Sequence, residues 1–430
     1  MTDTRQGALA AYGTPRRVFG GAFCVLLAFL SGLPVLRASA QDATEINVAR
    51  NVKISMRSGG PLLARIFRPV GTTLRPAVFS LENDSTAARE DNARALAAAG
   101  YAAVIAAPRA GDDKHVGRDG ADAIEWINDQ SWSDRRIVMT GTGEGANAAW
   151  NAAREHPPHL AAILSNAPAR PLGWTDTDVR RVVIPVLSIA GSASDAQGFA
   201  IDSHTLYVHG QREGATPNAF LVIGTLKQPE LDLLERSCFG WAVGRGPLPP
   251  LLRKRVNYLV VNDGIWLGAD SLEATGAKPT SFPLHTNAGP RAAPGGFLGE
   301  APRDEEPADT IAHEKAYETL LGSAVQLAGR PTVTLWLKHE GSKPVREVSL
   351  AEKLADGTLV PLGVSSGALH AVDSTAAPGS PDRWDFGSFP WIARRLAAGS
   401  KLELTIDGPP TIIYHDIERY SRVILPVVKP

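Results

Sequence analysis

Residues of the kinds that do chemistry converge on one turn. The segment Gly141-Thr142-Gly143-Glu144-Gly145-Ala146-Asn147 follows an apolar strand, Arg136-Ile137-Val138-Met139-Thr140, and runs into a helical stretch. A strand, a sharp glycine-flanked turn and a helix form the setting in which a G-x-S-x-G pattern presents a serine nucleophile. Gly143 stands at the central position. Glycine has no atom with which to attack a carbonyl, so an acyl-enzyme route is closed at this residue. Gly141, Gly143 and Ala146 also fit the looser G-x-G-x-x-A form of a dinucleotide loop, but no Asp or Glu stands between His156 and Trp174 to hold a ribose. No Lys-Ser/Thr pair completes a P-loop.

The other candidate groups are scattered. The ten histidines form no H-E-x-x-H or similar ligand spacing, so neither a metal nor a cofactor is implied. His156 and His159 are split by Pro157-Pro158 and are expected in solvent; His204 and His209 read as satisfied surface residues. His115, close to Asp112 and Asp113, reads as part of a solvated charged loop, with cation binding the alternative. Cys238 reads as a small buried hydrophobe rather than a reactive thiol.

The turn must be positioned by the elements around it. Asn47 to Arg68 reads as a hairpin turning at Ser58-Gly59-Gly60. Short apolar runs follow at Pro76–Ser80, Tyr101–Ala107, Arg136–Thr140, Ala161–Ser165, Ile184–Ile189 and Phe220–Ile223. Helical stretches alternate with them at Ala87–Ala99, Gly120–Asp129, Ala146–Glu155 and Gly198–Gln211. This alternation predicts a mostly parallel sheet with helices on both faces and ligands at the carboxyl ends of its strands. Beyond Arg253 short strands separated by Gly, Pro, Asn and Asp predict a β-sandwich, with Val256–Val261 as its first strand. The polar, Pro/Gly-rich stretch 284–309 is expected to be an ordered arm folded onto the first domain.

Ahead of these lies a different kind of segment. Arg16-Arg17 precedes an apolar run from Val18 to Leu36, broken by Gly32 and Pro34, and Ala38-Ser39-Ala40 fits a small-residue cleavage site. Residues 1–40 are therefore expected to be an export signal rather than a membrane span, with Arg16-Arg17-Val18-Phe19 also similar to a twin-arginine signal. A periplasmic or secreted protein follows. Loss of that segment removes Arg5, Arg16, Arg17, Arg37 and Asp3, taking the formal charge from -1 to -4. Near-neutral charge gives no electrostatic basis for nucleic-acid binding, and the two cysteines exclude a disulfide scaffold. The division expected is 1–40 signal, 41–245 α/β domain and 246–430 sandwich.

The block Asp119-Gly120-Ala121-Asp122-Ala123-Ile124-Glu125-Trp126-Ile127, followed by Gln130-Ser131-Trp132-Ser133-Asp134-Arg135-Arg136 and the glycine turn, resembles the region before the nucleophile in the Xaa-Pro dipeptidyl-peptidase and cocaine-esterase (CocE/NonD) family. Arg75-Pro76-Ala77-Val78, Pro108-Arg109-Ala110-Gly111 and Asn257 to Trp266 fit the same pattern, so that the likeness covers residues 47–425. The resemblance implies an α/β-hydrolase fold with a C-terminal jelly-roll β-sandwich, and a serine hydrolase of acyl esters and amides. Carried over position by position, the nucleophile falls on Gly143, the acid on Asp195, the histidine on Gln228 and the oxyanion tyrosine near Asn83, leaving the backbone N–H of Glu144 in the oxyanion hole. Only the acid is retained. The family's helical cap is reduced to the short connection from Pro168 to Val182. The amide of Gln228 cannot relay a proton near neutral pH. The expectation is an exported protein that has lost serine-hydrolase catalysis and binds an acyl, peptide or glycan ligand, or pairs with an active homologue in the cell envelope. The alternative is a hydrolase using displaced groups such as Glu144 or Asp195.

Overall fold

The computed structural model describes residues 45–429, except 83–85, 110–114, 192–195, 211–217, 288–294, 340–344, 367 and 371–379. Residues 1–40, expected from the sequence to be an export signal, lie outside the described residues. The remainder, Thr44–Pro430, is one compact unit built on two sheet systems.

The first is a ten-stranded sheet. Its strands are β1 (Ile46–Ser55), β2 (Pro61–Pro69), β3 (Arg75–Leu81), β4 (Ala102–Ala106), β5 (Ser133–Thr142), β6 (Leu160–Asn166), β7 (Val186–Ala190), β8 (Ala219–Ile223), β9 (Val256–Val260) and β10 (Ile265–Ala269). They lie in the order β1-β2-β4-β3-β5-β6-β7-β8-β9-β10, with β3 to β9 parallel and the entry hairpin and β10 antiparallel. The helices are α1 (Ala87–Ala98), α2 (Val116–Asn128), α3 (Glu144–Arg154), α4 (Asp176–Arg181), α5 (Ala196–Gly210) and α6 (Gln228–Ala242).

Strand alternation sends Ala77, Phe79, Ile137 and Met139 into a core with α2, α3 and α4. Val78, Val138, Leu164 and Leu187 go to the opposite face, onto Leu96 of α1 and Leu234, Cys238 and Phe239 of α6. This is the two-faced sheet that the β-α-β rhythm predicts. Among the described residues no helix is long and apolar enough to cross a membrane.

One boundary differs from the expectation. Val256–Val260 is not the first sandwich strand: it pairs parallel with β8 and carries β10 as a hairpin partner. Four of its five residues are buried, as a strand covered on both faces requires, whereas a sandwich strand alternates.

The second system comprises fourteen strands between Ala277 and Val428 and encloses its own core, including Leu335, Leu337, Leu350, Phe386, Leu404 and Ile413. Residues Ala277–Pro283 pair with Arg422–Val428, while Leu284–Thr286 pair with Gly296–Leu298, so one strand serves both sheets. The arm is built into this sandwich rather than laid on the first domain. Gly296–Leu298 is one of its strands, and the backbone N–H of Thr286 donates to Glu306 Oε1 at 2.8 Å. Buried His285 and Asp309, which need partners inside the sandwich, explain the difference.

Candidate functional site

The glycine turn lies where β5 ends and α3 begins, at the carboxyl edge of the sheet. The Gly143 N–H donates to Asn166 O at 2.9 Å, and Gly143 O accepts from the Asn147 N–H at 3.0 Å. Its backbone is at φ +55°, ψ -113°, and a Cβ placed there would meet nothing within 4 Å. Glycine adopts this positive φ without strain, and the turn faces open space with no side chain at its centre. The flanking glycines serve other needs. A Cβ on Gly141 would stand 2.4 Å from Gly145 O, and a Cβ on Gly145 would stand 2.5 Å from Glu82 Oε1.

Glu82 directly follows β3 and is only 6% exposed. Its Oε1 accepts the Thr142 N–H at 3.2 Å, and its other oxygen pairs with the Arg89 guanidinium of α1. A buried carboxylate therefore stands against the turn, where an acyl-transfer site collects donors for developing negative charge. Glu144, the first residue of α3, is exposed. Its carboxylate stays in solvent, and its place at the helix start keeps its backbone N–H directed out of the helix end.

Gln228 opens α6 and is exposed; its Nε2 donates to Asp232 Oδ1 at 2.7 Å, one turn along the same helix. That amide is engaged within its own helix rather than at the turn. Asn83 and Asp195 lie outside the described residues, as do Asp112 and Asp113. At the start of α5, Gln197 Nε2 donates to Gly191 O at 3.0 Å.

Sequence reasoning did not single out Glu82, Arg89 or Glu235. Glu235 lies one turn beyond Asp232 on α6 and is partly buried. Its carboxyl is pushed up to about 7, first by burial and then by the nearby Asp232, with Arg89 opposing. The helix that carries it, α6, was not among the helical stretches read from the sequence, although Pro229 in the first turn and apolar Leu231, Leu234 and Cys238 at helical spacing are signals that could have found it. The carboxyl's perturbation was not legible, because its largest cause is burial, which depends on how α6 packs against the rest of the chain. Cys238 is buried and its thiol is pushed up to about 12 by burial, as an inert hydrophobe should be. His204 departs from its expectation. It is 5% exposed rather than on the surface, and neither ring nitrogen has a partner among the described residues.

The block before the turn positions it. Asp119 accepts from Arg109 Nε at 2.7 Å, Arg109 Nη2 at 2.8 Å and Ser58 Oγ at 3.0 Å, tying α2 to the entry hairpin. Asp122 accepts from the Arg57 backbone N–H at 2.7 Å. On the other side of α2, a Cβ on Gly120 would lie 2.7 Å from Ala152 Cβ, so glycine lets α2 close against the turn-bearing α3.

Residues 58–180, this hairpin, block and turn together, match the family model of the X-Pro dipeptidyl-peptidases (S15 family). An aminopeptidase from a marine-sediment Thaumarchaeota archaeon superimposes with a TM-score of 0.72 at 11% identity, covering 93% of this chain and 99% of that one. A CocE/NonD family hydrolase from Staphylococcus aureus does so with a TM-score of 0.69 at 15% identity, over 93% and 99% of the two chains. The fold is that of a CocE/NonD hydrolase. An α-amino acid ester hydrolase shares this fold, with a TM-score of 0.68 at 14% identity and the same 93% and 99% coverage. No curated protein matches the sequence.

Proposed function

We propose that this chain is an exported CocE/NonD-type protein that has lost serine-hydrolase catalysis and acts by binding an acyl, peptide or glycan ligand, or a protein partner. One observation supports the reading: the strand–turn–helix that the resemblance aligns with the nucleophile turn has a positive-φ glycine, Gly143, at its centre. Removing a nucleophile costs on the order of a million-fold in turnover where a triad is in use. The Gln228 amide supplies no base, and the buried Glu82 carboxylate places an acceptor beside the turn. On the sandwich, an open, largely acidic groove between residues 304–307 and 416–419, with Arg419 at its side, offers a ligand a second place to sit. The N-terminal apolar run and its Ala38-Ser39-Ala40 site support export.

The test uses the mature protein, a serine-reactive phosphonate probe and a panel of esters and aminoacyl amides. Neither labelling nor turnover is expected. Turnover abolished by Asp195→Ala would overturn the reading.

A second reading, hydrolysis by displaced groups, is favoured by the Glu235 carboxyl, which exchanges its proton near neutral pH where a general acid or base works best. Turnover that survives Asp195→Ala and disappears in Glu235→Gln would select it.

A further inference from the structure

The hydrolase sheet and the sandwich meet along a seam formed by one face of α5. Gln197, 1% exposed, closes a pair of hydrogen bonds with the backbone of Trp391: its Nε2 donates to Trp391 O at 3.2 Å, and the Trp391 N–H donates to its Oε1 at 2.6 Å. One turn on, Ala200 and Ile201 share a core with Tyr258 of β9 and with Ala328, Trp391 and Ala393 of the sandwich. Tyr258 and Trp391 pack edge to face at 5.1 Å. The next residue on this face is His204, since positions 197, 200, 201 and 204 follow helical spacing.

His204 is buried with both ring nitrogens unbonded by any described residue, in a setting that disfavours a charge. Charged groups of both signs surround it, and the nearest in effect is a cation. Arg255, at the start of β9, acts on it most strongly; Glu273, on the short turn joining β10 to the sandwich, is exposed. Asp202 on α5 is already turned to Arg330 of the sandwich, 4.0 Å away. Burial, then Arg255, bring the imidazole down to about 4.

We propose that this seam is an acid-sensitive latch: closed while His204 is neutral, it loosens when the ring takes a proton, because the imidazolium must then leave the apolar seam and the neighbouring arginine for water. The sign is fixed. An opened His204 regains an ordinary histidine's affinity for protons, near 6.5, so acid favours the open form from that pH down to about 4, where the closed form also protonates. The opening equilibrium gains up to a factor of ten per pH unit, roughly 300-fold across the window.

Amide exchange of the full mature chain, corrected for intrinsic rates, reads the opening at Ala200–Thr205, Leu327–Gly329 and Ile392–Arg394. Between pH 6.5 and 4 the wild type is expected to lose protection at these three segments together, while the strands β3 and β5 keep theirs. In His204→Leu and His204→Gln the pH-dependent loss should vanish. Two variants are used because a packing defect in one lowers protection at every pH without altering its slope. Equal slopes in wild type and both variants, or loss of protection spread evenly through β3 and β5, would overturn the latch.

Discussion

The three glycines at the turn are held by different forces, and substitutions separate them. Gly143 has room for a side chain but a positive φ, so Gly143→Ser is expected to cost only about 1–3 kcal/mol, the strain of placing an L-residue there. Gly141→Ala drives a methyl into the backbone of Gly145 and is expected to cost about 3 kcal/mol or more. Urea denaturation checks the order; a Gly143 variant as damaged as the Gly141 variant would mean that the open space in front of the turn is not there. Asp309 tests a buried charge in the sandwich. Burial pushes its carboxyl up, but His415, Lys315, Thr286 and Tyr317 all bond to it, at 2.6 to 3.0 Å, and together hold it well below the usual carboxylate range. Its stabilisation is present above its unfolded value near 3.8 and is lost as pH falls below that. Asp309→Ala strands Lys315 and His415 and should cost about 3–5 kcal/mol at pH 7, seen as a lower urea midpoint; a cost under about 1 kcal/mol would show that solvent reaches the cluster.

At the scale of elements, α2 does more for the turn than any residue in it. Asp119 ties α2 to the hairpin through Arg109 and Ser58, so Asp119→Ala is expected to destabilise by about 3 kcal/mol and to raise exchange in β1, β2 and α2 before β7 and β8. Uniform exposure of all strands at once would argue that α2 is no separate support. The legibility of the sequence follows the same division. Elements whose signal is local were readable: the hairpin from Ser58-Gly59-Gly60, the apolar runs of β3 to β8, and the turn at Gly143. Those decided by distant partners were not. Val256–Val260 is apolar enough for either sheet system, and only its pairing with β8 assigns it to the first. The arm's place depends on Glu306 meeting His285 and Thr286, more than twenty residues away in the first case. Likewise the glycine at the centre of the turn stands in the sequence itself, whereas the Glu82 carboxylate beside it and the raised Glu235 depend on how β3, α1 and α6 converge.

Across the whole molecule two buried groups pull stability in opposite directions with pH. Glu235 holds its proton more tightly folded than unfolded, about 7 against 4.5, so its contribution is fully present below pH 4.5 and is lost as pH rises through 7. His204 holds its proton less tightly folded, about 4 against 6.5, so the native state loses stability as pH falls from 6.5 towards 4. Between 4.5 and 6.5 the folded chain keeps one extra proton on Glu235 while the unfolded chain keeps one on His204. The two slopes cancel, and the wild type should show a flat stability profile there. The cancellation is between groups on different helices, α6 and α5, so it can be broken from either side. Glu235→Gln removes one arm: at pH 8 the variant should be roughly 2–3 kcal/mol more stable than wild type, because no buried carboxylate has to ionise, and on acidification it should fall with the full slope of one proton. His204→Leu removes the other arm and should gain stability as pH drops from 6.5 to 4.5. Urea unfolding at half-unit pH steps reads all three profiles. A wild-type profile already sloping by a whole proton, or variants that remain parallel to it, would show that these two groups do not govern the chain between pH 4.5 and 6.5. Below pH 4 every profile should turn down together, as Asp309 and Glu318, whose carboxyls are held low by their lysine and histidine partners, take up protons.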